Sequence, residues 1–172
     1  MSSTVRLPPH IAAIHYDGAF VPAAGAHLPG YWERWQRVVG SFLQVSPTDT
    51  ATNLAWFHTF GNWCVRWLQC GHWSELHQCI FLLQVSALRV DARRPLTNVD
   101  QATLLLWSGL GAWLVGQLPL ATQHWERVRQ VAPQHFTANV AREWLLALQD
   151  LSFQEQRLDW YLLYRKCQPV SG

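Results

Sequence analysis

The stretch GLGAWLVGQLPLATQHWERVRQVAP, residues 109 to 133, constrains the fold more than any other part of the chain. Apolar residues recur there at helical spacing, yet Gly109, Gly111 and Gly116 weaken a helix. A helix keeps such residues where a neighbour must come close. Gly109 and Ala121 are spaced to be the small contacts at which two helices of a hairpin cross. Trp125 is the large residue that fills the hole opposite them. Gly116 falls at the turn, where a left-handed backbone is expected. Pro133 closes the unit, because proline has no amide to donate and disfavours a helical residue before it.

The rest of the chain reads the same way. YWERWQRVVGSFLQV, from Tyr31, places Trp32, Trp35, Val39, Phe42 and Leu43 on one face, and SPTDT breaks that helix. A second helix is expected over about 52–69, with Leu54, Phe57, Gly61, Cys64, Val65 and Leu68 inward, and Gly71 stops it. A third covers about 73–88 with Leu76, Ile80, Leu83 and Ala87 inward. After the loop VDARRPLTN, Thr97 or Asn98 caps a helix over about 100–115, with Asp100 in its first turn. Further helices are expected over 119–131, 136–149 and 153–166. No alternating strand pattern of useful length appears. The fold class is therefore all-α, an array of antiparallel helix hairpins with about seven helices. Residues 1–29 form an irregular arm, with Pro8, Pro9, Pro22 and Pro29. Its Ile11, Ile14, Tyr16 and Phe20 are available to pack back onto the body. Residues 30–168 form the helical domain and 169–172 a tail.

Composition limits the function. The 172 residues suffice for one domain with a real core. Charged residues make up 14%, against an ordinary level of about a quarter. With eleven tryptophans, some of these rings are expected in a groove or an interface. Net charge is +2, Lys166 is the only lysine, and no basic cluster exceeds Arg93-Arg94. Nucleic-acid binding is therefore not expected. The run LLLWSGLGAWLVG (104–116) is too short for a bilayer span, so no direct membrane insertion is expected. No secretory signal is visible at MSSTVRLPPHIAAIHYDG, which points to a cytoplasmic protein with reduced thiols.

The spacing from Gly109 to Pro133 resembles the tetratricopeptide repeat (TPR), a 34-residue helix–turn–helix unit. Gly109, Gly116, Ala121, Trp125 and Pro133 match its small, glycine, alanine, aromatic and proline positions. Leu105 and Ala112 stand at its large positions, with Trp113 one place late. A second copy places Cys64, Trp67, Gly71 and Ile80 at equivalent positions, with Leu76 where alanine is usual. Its closing proline is missing and Pro95 arrives late. A third, over 136–166, has Ala141, Trp144, Leu145, Leu158 and Tyr161, with Gln149-Asp150 at the turn. More specifically, GLGAWLVGQLPLATQHW, then VAREWLLAL, with WCVRWLQCGHWSELHQCIFLLQ upstream, is similar to the class II chaperones of bacterial type III secretion. The likeness covers about residues 57–161. The proline-rich arm, the long inter-repeat loop and the tryptophan content depart from that family.

The resemblance implies a right-handed array and a binding activity. Such chaperones hold hydrophobic translocator proteins in the cytosol, gripping an extended segment in a concave groove. The groove residues it implies are His58, Gly61, Val65, Leu68, Thr103, Leu106, Leu110, Trp113, Val140 and Trp144. The partner is then a protein client, no cofactor is called for, and a homodimer is compatible. One alternative is a scaffold or adaptor subunit of a bacterial assembly or secretion apparatus. Another is a small helical metal protein or enzyme around His58, Cys64, Cys70, His72, His77 and Cys79. That cluster lacks Cys-x-x-Cys and His-x-x-x-His spacing, and Cys64 and Cys70 point to different helix faces. His72-Trp73-Ser74-Glu75 and Glu143-Trp144 offer acid–base groups without a nucleophile arrangement. No metal site and no catalytic residue is assigned.

Overall fold

The computed structural model describes residues 29–149 and 160–169. Every regular element among them is an α-helix: α1 (Tyr31–Leu43), α2 (Thr50–Cys70), α3 (Trp73–Asp91), α4 (Asn98–Leu114), α5 (Leu118–Val131), α6 (Phe136–Gln149) and α7 (Trp160–Cys167). The all-α class expected from periodicity is the class found. The apolar residues of the N-terminal arm, the first part of the expected seventh helix with Leu158, and residues 170–172 lie outside the described residues. The chain divides into two compact units, residues 1–95 and 96–172.

In the first unit, α2 and α3 pack along one another as a hairpin. Asp49 caps α2 by accepting from the Thr52 amide at 3.1 Å. Gly71 ends it at φ 70°. The Gly71 amide returns to the Leu68 carbonyl and the His72 amide to the Trp67 carbonyl, both at 3.1 Å. This paired closure requires a left-handed residue, and glycine adopts that conformation without a side-chain clash. The loop before α2 is held by Asn53, whose amide donates to the Ser46 and Asp49 carbonyls at 2.9 Å. Arg89 of α3 reaches across to the Val45 carbonyl and the Asn53 side-chain oxygen, both at 3.4 Å.

The buried face of α1 is Tyr31, Trp35, Val38 and Phe42. This corrects the sequence reading, which placed Trp32, Val39 and Leu43 on that face beside Trp35 and Phe42. Trp32 and Leu43 are exposed and Val39 is half-buried. The helix carries two apolar stripes one residue apart, and periodicity alone does not choose between them. The aromatic face of α2 makes the choice. Phe42 meets Trp56 and Phe60 at ring distances of 5.7 and 5.0 Å, and Trp35 meets Trp63 and Trp67 at 5.9 and 5.7 Å. Helix α2 is buried over most of its circumference: Phe57, Gly61, Cys64 and Leu68 are covered as expected, and Trp56, Phe60, Trp63 and Trp67 as well. The expected inward residues Leu54 and Val65 are half-buried. On α3, Leu76, Ile80, Leu83 and Ala87 are all inward.

In the second unit, the Thr97 hydroxyl accepts from the Asp100 amide at 3.1 Å and starts α4. The α4–α5 turn repeats the device of the first hairpin. Gly116 sits at φ 79°, its amide bonds the Trp113 carbonyl at 3.0 Å, and the Gln117 amide bonds the Ala112 carbonyl at 2.9 Å. Helix α5 carries Pro119 in its first turn and ends before Pro133. The unit is centred on Trp107, Trp125, Trp144 and Trp160, all buried. Trp144 lies 5.4 Å from Trp125, 6.0 Å from Trp107 and 5.6 Å from Trp160. It also donates its indole N–H to the Trp160 carbonyl at 3.2 Å. Eight of the eleven tryptophans are buried across the two units. The high tryptophan content is thus mainly a core feature.

Candidate binding groove

The apolar stripe of α1 that the core leaves uncovered lines a cleft. Trp32, Gln36, Val39 and Leu43 follow one another at three- and four-residue spacing along that side of α1. From α3, Glu75, His77, Gln78, Phe81 and Leu82 face them, across a cavity of about 710 Å³. Buried Trp35 and Leu82 contribute to its lining. The Trp35 indole donates to the Gln78 side-chain oxygen at 3.3 Å and ties the two helices together. Trp32 stacks on Trp67, with ring centroids 6.1 Å apart and planes 10° apart. Leu43 and Phe81 are 57% and 60% exposed, so the cleft is open along its walls. Gly40 has nothing within 4 Å of where a Cβ would stand, which keeps one wall low. The carboxylate on the lining is Glu75, with the His72 ring 3.7 Å away. The chemistry offered is apolar and aromatic, with glutamine amides for orientation.

A second cavity, of about 480 Å³, lies between α5 and α6 in the other unit. It is polar, with Glu126, Arg129, Gln130, Asn139 and Arg142 on its lining.

The residues that the resemblance assigned to a groove are placed as follows. In the first unit Gly61 and Leu68 are buried and His58 and Val65 half-buried. In the second unit Leu106, Leu110, Val140 and Trp144 are buried, and Thr103 and Trp113 half-buried. Trp113 packs on Trp160 with ring centroids 4.7 Å apart. None of the ten lines the α1–α3 cleft. Of the positions assigned to repeat packing, Cys64, Trp67, Gly109, Ala121 and Trp125 are buried. Gly71 and Gly116 sit in left-handed turns, and exposed Pro133 follows α5. The Trp125 indole occupies the space that a Cβ on Gly109 would need.

In the α2–α3 hairpin the Cys64 and Cys79 thiols lie side by side. Cys64 and Cys79 are buried, and Cys70 is exposed. The Cys79 thiol donates to the Phe60 carbonyl at 3.3 Å. Burial, with the Cys79 thiol alongside, pushes the Cys64 thiol well above its ordinary range. Among the described residues no group of three metal-ligating side chains is brought together. Glu143 lies 3.6 Å from Lys166 and 3.8 Å from Arg142, an ion-pair arrangement.

Sequence reasoning missed the α1–α3 cleft, although its signal was present. Trp32, Val39 and Leu43 are apolar at helical spacing beside a complete second apolar stripe, and one helix face cannot bury both against a single neighbour. No helix among the described residues is long and apolar enough to cross a membrane. Compared with protein-family models, with curated proteins and with solved structures, the chain gives no significant match to any of them.

Proposed function

We propose that the chain is a protein-binding module that holds an apolar segment of a client polypeptide, as the secretion chaperones it resembles do, on a scaffold of tetratricopeptide-like hairpins. The activity is binding rather than catalysis, and the setting is the cytoplasm. The observation that carries this reading is the open cleft between α1 and α3, where exposed Trp32, Leu43 and Phe81 surround buried Trp35 and Leu82. Its volume falls within the range of about 300–1,000 Å³ in which a cavity encloses a ligand. Covering a large apolar side chain is worth about 1.5–3 kcal/mol, so two or three client side chains seated there give useful affinity. The low charge of the lining favours an apolar client over an acidic or basic one.

The test is copurification of the natural client with the full chain and with Leu43→Glu and Phe81→Glu. Both positions are exposed, so helicity by circular dichroism should be unchanged. Leu162→Glu, at an exposed position of α7, is the control. The client should be lost from the first two variants and retained by the control. Retention by all three would remove the cleft from the binding surface.

A further inference from the structure

Two of the four cysteines meet inside the α2–α3 hairpin. Cys64 and Cys79 stand at nearly equal distances on either side of the Gly71 turn, so the antiparallel helices bring them to the same height. The Cys79 thiol donates to the Phe60 carbonyl at 3.3 Å. In a helix that carbonyl pairs with the amide four residues on, here the amide of Cys64. The Cys79 sulfur therefore lies against the turn of α2 that carries Cys64, and the two thiols are in hydrogen-bonding contact. Both are fully buried. The remaining approach, to a bond length of about 2.05 Å, is on the scale of a side-chain rotation.

We propose that Cys64 and Cys79 are a disulfide-forming pair that staples α2 to α3, with a small-molecule disulfide such as oxidised glutathione as the oxidant. The thiolate of one cysteine attacks the oxidant, releases one glutathione thiolate and leaves a mixed disulfide. The thiolate of the other attacks the protein sulfur of that intermediate and releases the second glutathione. The protein gives up two protons and two electrons, and the oxidant takes them up as two glutathione thiols. Burial holds the Cys64 thiol well above its ordinary range, and solvent reaches neither sulfur in the closed hairpin. The exchange therefore runs while the hairpin is open, during folding or transient opening. Once α2 and α3 close, the same burial shields the bond from reductants. The staple joins the helix that carries Phe81 and Leu82 to the helix that seats Trp35 and Phe42. It acts on the frame of the cleft without touching its lining. In a reducing cytoplasm the pair stays a dithiol, and the bond marks chains that have folded in an oxidised thiol pool.

The experiment uses the full chain with Cys70→Ser and Cys167→Ser, which leaves this pair as the only thiols. The chain is equilibrated in a glutathione redox buffer, with and without denaturing urea, from both the reduced and the oxidised side. Peptide mapping by mass spectrometry counts the bond. Folding must favour the bond by the same factor by which the bond stabilises the fold. The oxidised-to-reduced ratio should therefore be at least about tenfold higher in the folded chain than in urea. Reduction by dithiothreitol should be on the order of a hundredfold slower in the folded chain. The oxidised form should unfold at a higher urea concentration than the reduced form, and Cys64→Ala and Cys79→Ala should each abolish that difference. A ratio no higher in the folded chain than in urea overturns the proposal. So does reduction as fast in the folded chain as in urea, or glutathione left attached in place of the internal bond. An oxidised form that loses helicity or unfolds at lower urea overturns it as well.

Discussion

Trp125 of α5 lies directly over the bare Cα of Gly109 on α4, with its indole in the space that a Cβ on Gly109 would need. The ring has no room to swing away. Its N–H is held by the Leu106 carbonyl at 3.0 Å, and the rings of Trp144 and Trp160 stand 5.4 and 5.6 Å away. The carbonyl has a second lone pair to give, so this bond does not compete with the helix.

Gly109→Ala should therefore destabilise the protein despite alanine's better helix propensity. Overpacking of a tight core costs about 1–3 kcal/mol, which outweighs the roughly 1 kcal/mol that alanine gains over glycine within a helix. Gly40→Ala is the matched control, because Gly40 lies within α1 and has open space where its Cβ would stand. Urea denaturation should show opposite signs for the two variants. A Gly109→Ala protein as stable as its parent would contradict the close approach.

Gly71→Ala and Gly116→Ala should each cost about 1–2 kcal/mol, for a different reason. Both glycines sit at positive φ with nothing within 4 Å of where a Cβ would stand, so the penalty comes from the backbone and not from a clash. Asparagine, which tolerates the left-handed region, should recover part of the loss at either site, and valine should be worse than alanine. Equal stability of the alanine, asparagine and valine variants in thermal denaturation would refute a conformational origin.

Stability should fall on mild acidification. Burial, and then the Arg127 charge, holds the His124 ring below its ordinary value of 6.5, and burial does the same for His135. The His135 Nδ1 also lies 2.8 Å from the Thr137 hydroxyl at the start of α6. Between the lowered folded values and 6.5, the unfolded chain binds more protons than the folded one. The contribution is thus full above pH 6.5 and lost as pH falls through that window. Both rings are partly exposed, so the slope should be shallow. Denaturation midpoints at about pH 7.5 and about pH 5.5, on either side of the ordinary histidine range, should differ less for the variant His124→Gln, His135→Gln than for the parent. An identical pH dependence in the two proteins would count against these histidines as its source.

The hairpins were the most legible part of the molecule. Gly71 marked a helix end and Gly116 a left-handed turn, because few other residues adopt that conformation cheaply, and Leu76, Ile80, Leu83 and Ala87 followed a single unambiguous stripe. Helix α1 was legible as a helix but not as a surface. Its sequence holds Tyr31, Trp35, Val38 and Phe42 at one spacing and Trp32, Gln36, Val39 and Leu43 at the next. The first set is buried against the rings of α2, whereas of the second set Trp32 stacks on Trp67 and stays exposed on its outer side. The tryptophans were legible only in part: Trp32 and Trp35 line the cleft, but composition did not tell them from the rings that only fill the core. A large aromatic ring suits a core as well as an interface, and composition does not say which neighbours it will find.

Local chemistry in the chain was thus enough to establish that it forms helices, where several of them stop, and which turns need glycine. Backbone conformation, capping and apolar period act over a few residues and are present before any long-range contact forms. Which apolar stripe is covered, and which is left open as a cleft between α1 and α3, was decided by tertiary packing. That choice depends on the shapes of side chains brought together from separate helices, and no short-range rule contains them.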